Sequence, residues 1–216
     1  MTKTDQAIDQ LQRMIEHGDL KPGSMVSESQ LVEITGFGRT PIREAIQRLA
    51  TARMIRVHPS KGLEIPAISV EDQLCALEVR RPIEVLAVEL AAARAAAPQR
   101  AAMQDLAATL AGRFGLRDYT ETVRRTHAMI IEAAQNPYLS AAMLPLQALS
   151  RRFWITYLRD EVAEIARGGA LHRQMLSAVA AGDKVAARAA SLALNDYLVA
   201  HAVAVIARRA APTSAD

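Results

Sequence analysis

The chain has 216 residues, half of them apolar, and a formal net charge of only +3. Aromatic residues make up 4% of it, a composition that favours closely packed helices over sheets. The single cysteine, Cys75, excludes an internal disulfide and is typical of a reducing cytosol. We see no signal-peptide pattern and no apolar run long enough to cross a membrane, so we expect a cytoplasmic protein without a membrane partner.

Positive charge is concentrated between Gly36 and Gly62, where six basic residues and one acid, Glu44, give a local charge of +5. The six are Arg39, Arg43, Arg48, Arg53, Arg56 and Lys61. Such a patch is the electrostatic footprint of a nucleic-acid-binding surface. The alternative is a solvated helix face that binds nothing.

The first 66 residues follow the pattern of a helix-turn-helix domain. Helical spacing of apolar residues predicts a first helix over residues 4–16. A capping box from Ser27 to Gln30 begins a second helix, which ends near Gly36. A third helix starts at Pro41 with Thr40 as its cap. Its core-facing stripe consists of Ile42, Ala45, Ile46 and Leu49.

Two alternating segments, 54–58 and 62–65, predict a β-hairpin whose turn is Pro59-Ser60-Lys61-Gly62. A hairpin directly after a helix-turn-helix is a wing. We therefore predict a winged helix-turn-helix domain over residues 1–66, followed by a linker at 67–68.

Residues 69–211 read as an all-α bundle of six or seven helices, so the fold class is mainly α with a small β-hairpin wing. The pattern predicts an interruption at Pro82, a kink at Pro145 and a break at Gly168-Gly169. Asp183 caps the last helix, which runs to about Ala210. We expect residues 212–216 to form a disordered tail.

The start of the third helix carries the predicted DNA contacts. Arginine binds guanine edges bidentately, and Arg39 and Arg43 lie where a recognition helix enters the major groove. Thr40 and the first backbone N–H groups suit a phosphate. At the wing tip, Lys61 and Gly62 can approach the DNA backbone. The complete predicted set is Arg39, Thr40, Arg43, Arg48, Lys61 and Gly62.

The run Gly36-Phe-Gly-Arg-Thr-Pro-Ile-Arg-Glu-Ala45 resembles the GntR family of transcriptional regulators. The resemblance implies that Arg39, Thr40, Arg43 and Gly62 touch operator DNA. Two positions depart from the usual pattern. Gly38 stands where Ser or Thr is common, and Arg53 stands where glycine is usual.

The second half resembles the all-α FCD effector domain of FadR-type regulators, closest to the shorter, VanR-like members. The pieces that carry this likeness are 78–84, 133–139, 171–173 and 178–183. Many such domains hold a divalent metal with one Asp and three His. Here His127 and His172 match two ligands, whereas Val123 and Leu194 stand at the other two.

The same resemblance places an effector pocket around these positions. Arg80 would bind an effector carboxylate, Asn195 lies next to the lost ligand position, and Arg151 or Arg152 would close the pocket. The predicted effector-binding set is Arg80, His127, His172, Asn195 and Arg151. We expect no cofactor to be required. The alternative is zinc, nickel or manganese held by His127 and His172, with His201 as a replacement ligand.

The sequence predicts an effector-responsive regulator, most simply a repressor, that binds a palindromic operator in double-stranded DNA as a homodimer. A small organic acid or other metabolite, most simply one carrying a carboxylate, would release it. One alternative is a constitutive DNA-binding regulator with a non-functional sensor pocket. Another is a helical-bundle enzyme with catalytic His127 and His172, although no matched nucleophile or carboxylate pair accompanies either.

Overall fold

The computed structural model describes residues 2–210 and folds as two compact units. The N-terminal unit comprises residues up to 69 together with residues 151–156. The C-terminal unit comprises residues 70–150 and those from 157 onward. The predicted tail, 212–216, lies outside the described residues.

The N-terminal unit is a winged helix-turn-helix, as predicted. In chain order it contains α1 (Lys3–Glu16), β1 (Met25–Val26), α2 (Glu28–Thr35), α3 (Arg39–Thr51), β2 (Arg56–His58) and β3 (Gly62–Glu64). The strands form an antiparallel sheet of order β1-β3-β2, in which Val57 pairs with Leu63 and Val26 with Leu63 from the other side. Strand β1 escaped prediction because two residues are too short to show an alternating pattern.

Local chemistry sets the bounds of the two central helices. Ser27 and Gln30 form the predicted capping box at the start of α2. Gly36 ends α2 in the left-handed conformation, with φ of 74°. The cap predicted for α3 is wrong: Thr40 lies inside the helix, and Gly38 takes the N-cap position without a side-chain hydrogen bond.

Within the described residues, the C-terminal unit is a helical bundle that contains five whole helices and residues 137–150 of a sixth. They are α4 (Val70–Arg94), α5 (Ala97–Thr109), α6 (Leu116–Ala134), α7 (Pro137–Thr156), α8 (Glu161–Ala181) and α9 (Lys184–Ala210). Helix α4 packs against α9 and α6, while α8 packs against α5 and α9. As predicted, the side chain of Asp183 caps α9 by accepting from the amide of Ala186.

Two of the predicted helix breaks are wrong. Helix α4 continues through Pro82. Helix α7 is also continuous at Pro145, and the kink expected there stays a prediction. Pro82 is exposed, as is Glu78 one turn earlier, so water can satisfy the carbonyl that proline leaves without a donor. Helix α8 continues through Gly168, where the missing side chain makes room for Tyr119.

Helix α9 departs from the expectation that no segment resembles a membrane span. By length and composition alone, residues 184–209 are long and apolar enough to cross a bilayer. The helix nevertheless packs against both α4 and α8, as a core helix of a folded bundle does.

Candidate functional site

The outer face of α3 carries most of the predicted DNA contacts. Ile42 and Leu49 are buried on the inner face, whereas Arg39, Thr40 and Arg43 are exposed on the outer one. Gly38 has no side chain that could cap α3, so the first amides of the helix have no side-chain acceptor. They can therefore donate to an external acceptor such as a phosphate.

Arg43 is held in position by an acid from α2. Its Nε donates to both carboxylate oxygens of Glu28, at 2.8 and 2.9 Å, while 67% of its side chain remains exposed. Within the described residues, its two terminal nitrogens make no other hydrogen bond. The guanidinium is therefore oriented by Glu28 and can still present a pair of donors to a base edge.

The other basic residues of the patch divide into paired and unpaired groups. Arg48 lies 3.5 Å from Asp5 of α1, and Arg56 binds Glu64 within the sheet. The hydrogen bond from His58, aided by Arg56, lowers the pKa of Glu64. Within the described structure, the three remaining basic residues of the patch, Arg39, Arg53 and Lys61, form no ion pair.

The wing places Lys61 in the turn between β2 and β3, where it is exposed. Gly62 begins β3 with φ of 107°, and an added Cβ would lie 3.1 Å from the Val26 carbonyl oxygen. The backbone and the neighbouring strand thus require glycine at this position, whatever contact it makes with DNA.

Sequence reasoning overlooked Gln47. It is exposed on α3 one turn after Arg43 and two turns after Thr40, and therefore extends the same outer face. Its side-chain amide can donate and accept at an adenine edge. The spacing of exposed polar residues along α3 would have identified it.

A second polar cluster is buried in the helical bundle around Arg80. The Nε and Nη2 atoms of Arg80 donate to Glu84, at 3.1 and 3.0 Å, and both side chains are almost fully buried. Nε2 of His127 lies 3.4 Å from Arg80 Nη2 and 3.4 Å from Glu84 Oε1. Asn195 donates from Nδ2 to Glu84 Oε2 at 2.8 Å.

His172 lies beside this cluster, its ring centroid 5.3 Å from that of His127. Its Nδ1 lies 2.7 Å from the carbonyl oxygen of Gly168. A carbonyl oxygen only accepts, so Nδ1 carries the proton and donates. The structure thus brings together four of the five predicted effector residues, namely Arg80, His127, His172 and Asn195.

Arg151, the fifth predicted effector residue, is paired with an acid outside this cluster. It groups with the N-terminal unit, where Nε and Nη2 bind the buried carboxylate of Glu16 at 3.2 and 3.0 Å. The neighbouring Arg152 is buried and donates to the carbonyl oxygen of Pro66. Burial lowers the pKa of Arg152 to about 10.

The residues present do not fit the divalent metal that the fold family implies. Val123 and Leu194 are buried apolar side chains at two ligand positions. The imidazole of His127 faces the cationic guanidinium of Arg80, which would repel a metal ion. Among the described residues, no group of three or more His, Cys, Asp or Glu side chains could hold one, and His201 does not complete such a group.

His201 instead lies near Tyr197, with ring centroids 6.3 Å apart. Burial lowers the pKa of His201, which favours its neutral form.

Comparison with known families agrees with this arrangement of a DNA-binding surface and a bundle. Residues 3–65 match the bacterial regulatory proteins of the gntR family, and residues 75–196, more than half of the chain, match the FCD domain. The chain is a GntR-family regulator with an FCD domain. It is thus a DNA-binding transcriptional regulator with an effector-binding domain, and not an enzyme.

Individual relatives are also regulators of transcription. This chain is 36% identical over 85 residues to YdhC of Bacillus subtilis, an uncharacterised HTH-type transcriptional regulator. The match spans 39% of this chain and 38% of YdhC. It is 29% identical over 103 residues to McbR of Escherichia coli, and this match spans 48% of this chain and 47% of McbR. The HTH-type repressor GlaR of E. coli is 26% identical over 162 residues, 72% of this chain and 74% of GlaR.

Solved structures share the whole fold. E. coli McbR/YncC superposes with a TM-score of 0.72 at 20% identity, over 97% of this chain and 99% of that one. A putative GntR transcriptional regulator from Rhodococcus sp. RHA1 superposes with a TM-score of 0.69 at 20% identity, over 96% of this chain and 99% of that one. At such identities the likeness establishes the fold, while the roles of individual residues remain predictions.

Proposed function

We propose that this GntR regulator is a cytoplasmic homodimeric repressor that binds a palindromic operator and is released by a small molecule in its FCD bundle. The proposed DNA binding rests on the arrangement of side chains on the outer face of α3. There Arg43 is oriented by Glu28, and Arg39 and Thr40 flank uncapped backbone amides. In this proposal Arg43 and Gln47 read bases, while Arg39, Thr40, Arg48, Lys61 and Gly62 contact the sugar-phosphate backbone.

Selection from a pool of random duplexes tests operator binding. We expect the protein to enrich an inverted repeat whose half-sites lie about one or two helical turns apart. On the selected duplex, Arg43→Ala should weaken binding by about 1–3 kcal/mol and relax base preference at one position in each half-site. Mobility-shift titration at fixed salt measures both effects.

Glu33→Ala provides a matched control, since Glu33 is an exposed residue of α2 that makes no contact with Arg43 in the described structure. It should leave affinity and base preference unchanged. Selection of sites without an inverted repeat would rule out the palindromic operator. An Arg43→Ala protein with wild-type base preference would exclude base reading by that residue.

The dimer in this proposal uses the exposed face shared by α4 and α9. Ion pairs from Arg81 to Asp196 and from Arg188 to Glu89 join these helices. The same two helices leave four apolar side chains about half exposed, namely Val79 and Leu86 of α4 and Val203 and Ile206 of α9, and we take them as the apolar stripe of the interface. An apolar face flanked by equal numbers of acids and bases is self-complementary, as a two-fold interface requires.

Mass in solution tests this interface. The double variant Val79→Glu/Val203→Glu should sediment with the mass of one chain, because it buries like charges against each other across the two-fold axis. Val162→Glu is the matched control, since Val162 is 81% exposed at the start of α8, away from the stripe. A double variant that stays dimeric would place the interface elsewhere.

The effector site in this proposal is the buried cluster of Arg80, His127, His172 and Asn195. The sequence predicted a carboxylate-bearing effector bound by Arg80. In the structure, however, the carboxylate on Arg80 is Glu84 of its own helix. A constitutive regulator with a non-functional pocket remains the second candidate, favoured by the apolar Val123 and Leu194 at two ligand positions. It predicts that no small molecule changes operator affinity.

A further inference from the structure

The charges of the buried cluster are already balanced by the chain itself. Arg80 and Glu84 contribute one positive and one negative charge, and their side chains are 3% and 2% exposed. An anionic ligand would have to displace Glu84 or add an uncompensated charge to the interior. Both are unfavourable in a site that water does not reach.

The Arg80 guanidinium also lies next to the histidine that would bind a metal in related domains. Nη2 of Arg80 lies 3.4 Å from Nε2 of His127, the ring that matches a metal ligand of the family. The positive charge of this site is therefore supplied by the Arg80 side chain, which Glu84 holds in place. A ligand here does not need a metal to bridge it to the protein.

Two side-chain oxygens on α9 lack a hydrogen bond within the described structure. Asn195 Oδ1 and Ser191 Oγ are fully buried and have no partner. The two residues lie one turn apart on the same face of the helix. Buried polar atoms without partners are rare, and a ligand or an ordered water is a common explanation for them.

The orientation of the Asn195 amide is fixed by its neighbours. Nδ2 donates to Glu84 Oε2 and to the carbonyl oxygen of Ser191, at 2.8 and 3.0 Å. Exchanging the amide oxygen and nitrogen would bring two acceptors against Oδ1, so the assignment is unambiguous. Oδ1 therefore points away from Glu84 and can only accept.

We propose that the effector of this regulator is an uncharged molecule with an amide or hydroxyl group, bound without metal by hydrogen bonds to Asn195 Oδ1 and Ser191 Oγ. This inference rests on the proposed effector-responsive function and specifies its ligand class. An N–H or O–H of the ligand donates to Asn195 Oδ1, an oxygen of the same group accepts from the Ser191 hydroxyl, and the Arg80–Glu84 pair stays intact.

A matched panel tests the chemical class. Each aliphatic or aromatic compound is supplied as the carboxylic acid, the primary amide and the methyl ester, together with the corresponding alcohol. Thermal unfolding of the full-length protein is followed at about pH 7.5, where the acids are ionised, in the presence of chelator. We expect amides or alcohols to raise Tm and to release the selected operator. The corresponding acids and esters should do neither.

Ser191→Ala tests the place of binding. It removes one buried hydroxyl without leaving a donor unsatisfied, so the protein should fold at least as stably as the wild type. The affinity of the active amide or alcohol should fall about tenfold, as loss of one hydrogen bond predicts. Ser150→Ala is the control, a buried serine of α7 whose hydroxyl accepts from Gln73. It should leave ligand affinity unchanged.

Three results would overturn the inference: binding of acids in preference to amides and alcohols, a requirement for added zinc, nickel or manganese, or no response to any amide or alcohol of the panel. Each leaves operator binding intact. Failure of the proposed function would appear separately: as the absence of any selected operator, or as an operator affinity that no compound of the panel changes, whether acid, ester, amide or alcohol.

Discussion

Arg80 and Glu84 place two opposite charges inside the bundle, and each depends on the other for its burial. Arg80→Met alone should lower the free energy of unfolding by about 3–5 kcal/mol, because it leaves the Glu84 carboxylate uncompensated. The double variant Arg80→Met/Glu84→Gln should recover most of that loss, since the amide oxygen of Gln can still accept from Asn195. Urea denaturation of both single variants and the double variant measures the coupling.

Additive losses in the double variant would show that the two charges do not stabilise each other. The same reasoning affects the choice of functional variants. A lost inducer response in Arg80→Ala would combine misfolding with altered recognition, whereas Ser191→Ala separates the two.

Arg53 adopts a backbone conformation that suits glycine. Its φ is 57°, and the GntR resemblance marks this position as one where glycine is usual. Arg53→Gly should raise the free energy of unfolding by up to about 1 kcal/mol, since the cost of the left-handed conformation exceeds the entropy lost by glycine. If Arg53 contacts a phosphate, the salt slope of operator binding should fall by about 1.

Gly36→Ala is the reciprocal control. Gly36 has φ of 74°, and an added Cβ would meet no atom within 4 Å, so only backbone strain is tested. It should lower stability by about 1 kcal/mol. A destabilised Arg53→Gly protein would mean that the arginine side chain contributes more than its backbone costs.

At the scale of helices and strands, predictions succeeded where a residue acts on its own neighbourhood. The capping box of Ser27 and the left-handed glycine at Gly36 fixed the bounds of α2 from local sequence. The breaks predicted at Pro82 and Gly168 failed because their outcome depends on what surrounds the helix. Water can donate to the carbonyl freed by Pro82, and the ring of Tyr119 occupies the space beside Gly168.

Prediction of the candidate sites likewise succeeded where neighbouring residues decide the outcome and failed where distant partners do. The DNA-binding face follows from spacing within α3 and was predicted, apart from Gln47. In the bundle, the pocket residues were named from the family resemblance, but the partners that decide their chemistry were not. Asn195 binds Glu84 across 111 positions of sequence, a contact that no local pattern specifies.

Gly168 allows α8 to pass close to Tyr119. An added Cβ would lie 2.1 Å from the tyrosine hydroxyl oxygen, so Gly168→Ala should displace that ring and lower the free energy of unfolding by about 1–3 kcal/mol. Gly115→Ala is the control, because an added Cβ there meets no atom within 4 Å. Adding Tyr119→Phe should partly restore stability in Gly168→Ala. Equal stability of the Gly168 and Gly115 variants would contradict this packing.

At the scale of the whole molecule, the N-terminal unit includes a segment from far along the chain. Residues 151–156, the last turns of α7, group with residues up to 69. Glu16 is 1% exposed, and its carboxylate is bound by Arg151 and by Nε2 of Gln12. This buried pair joins residues 135 positions apart, which is why sequence reasoning assigned Arg151 elsewhere.

The pair makes α1 depend on Arg151. Arg151→Met should speed hydrogen exchange of the α1 amides by two orders of magnitude or more, as expected for about 3 kcal/mol lost when a buried carboxylate loses its cation. Arg13→Met is the control on the same helix, since its ion pair with Asp9 is partly exposed and contributes under about 1 kcal/mol. Unchanged exchange in the Arg151 variant would show that α1 is stable without it.

The grouping of residues 151–156 with α1 also bears on how this regulator can be dissected. A fragment ending at residue 69 would contain every α3 and wing residue proposed to contact DNA. It would nevertheless lack the cation for Glu16 and the donor that Arg152 gives to Pro66. Grafting the operator-binding half onto a foreign sensor therefore requires more than a cut at the linker. The transplanted module must carry a substitute for the end of α7, or replace Glu16 by an apolar residue.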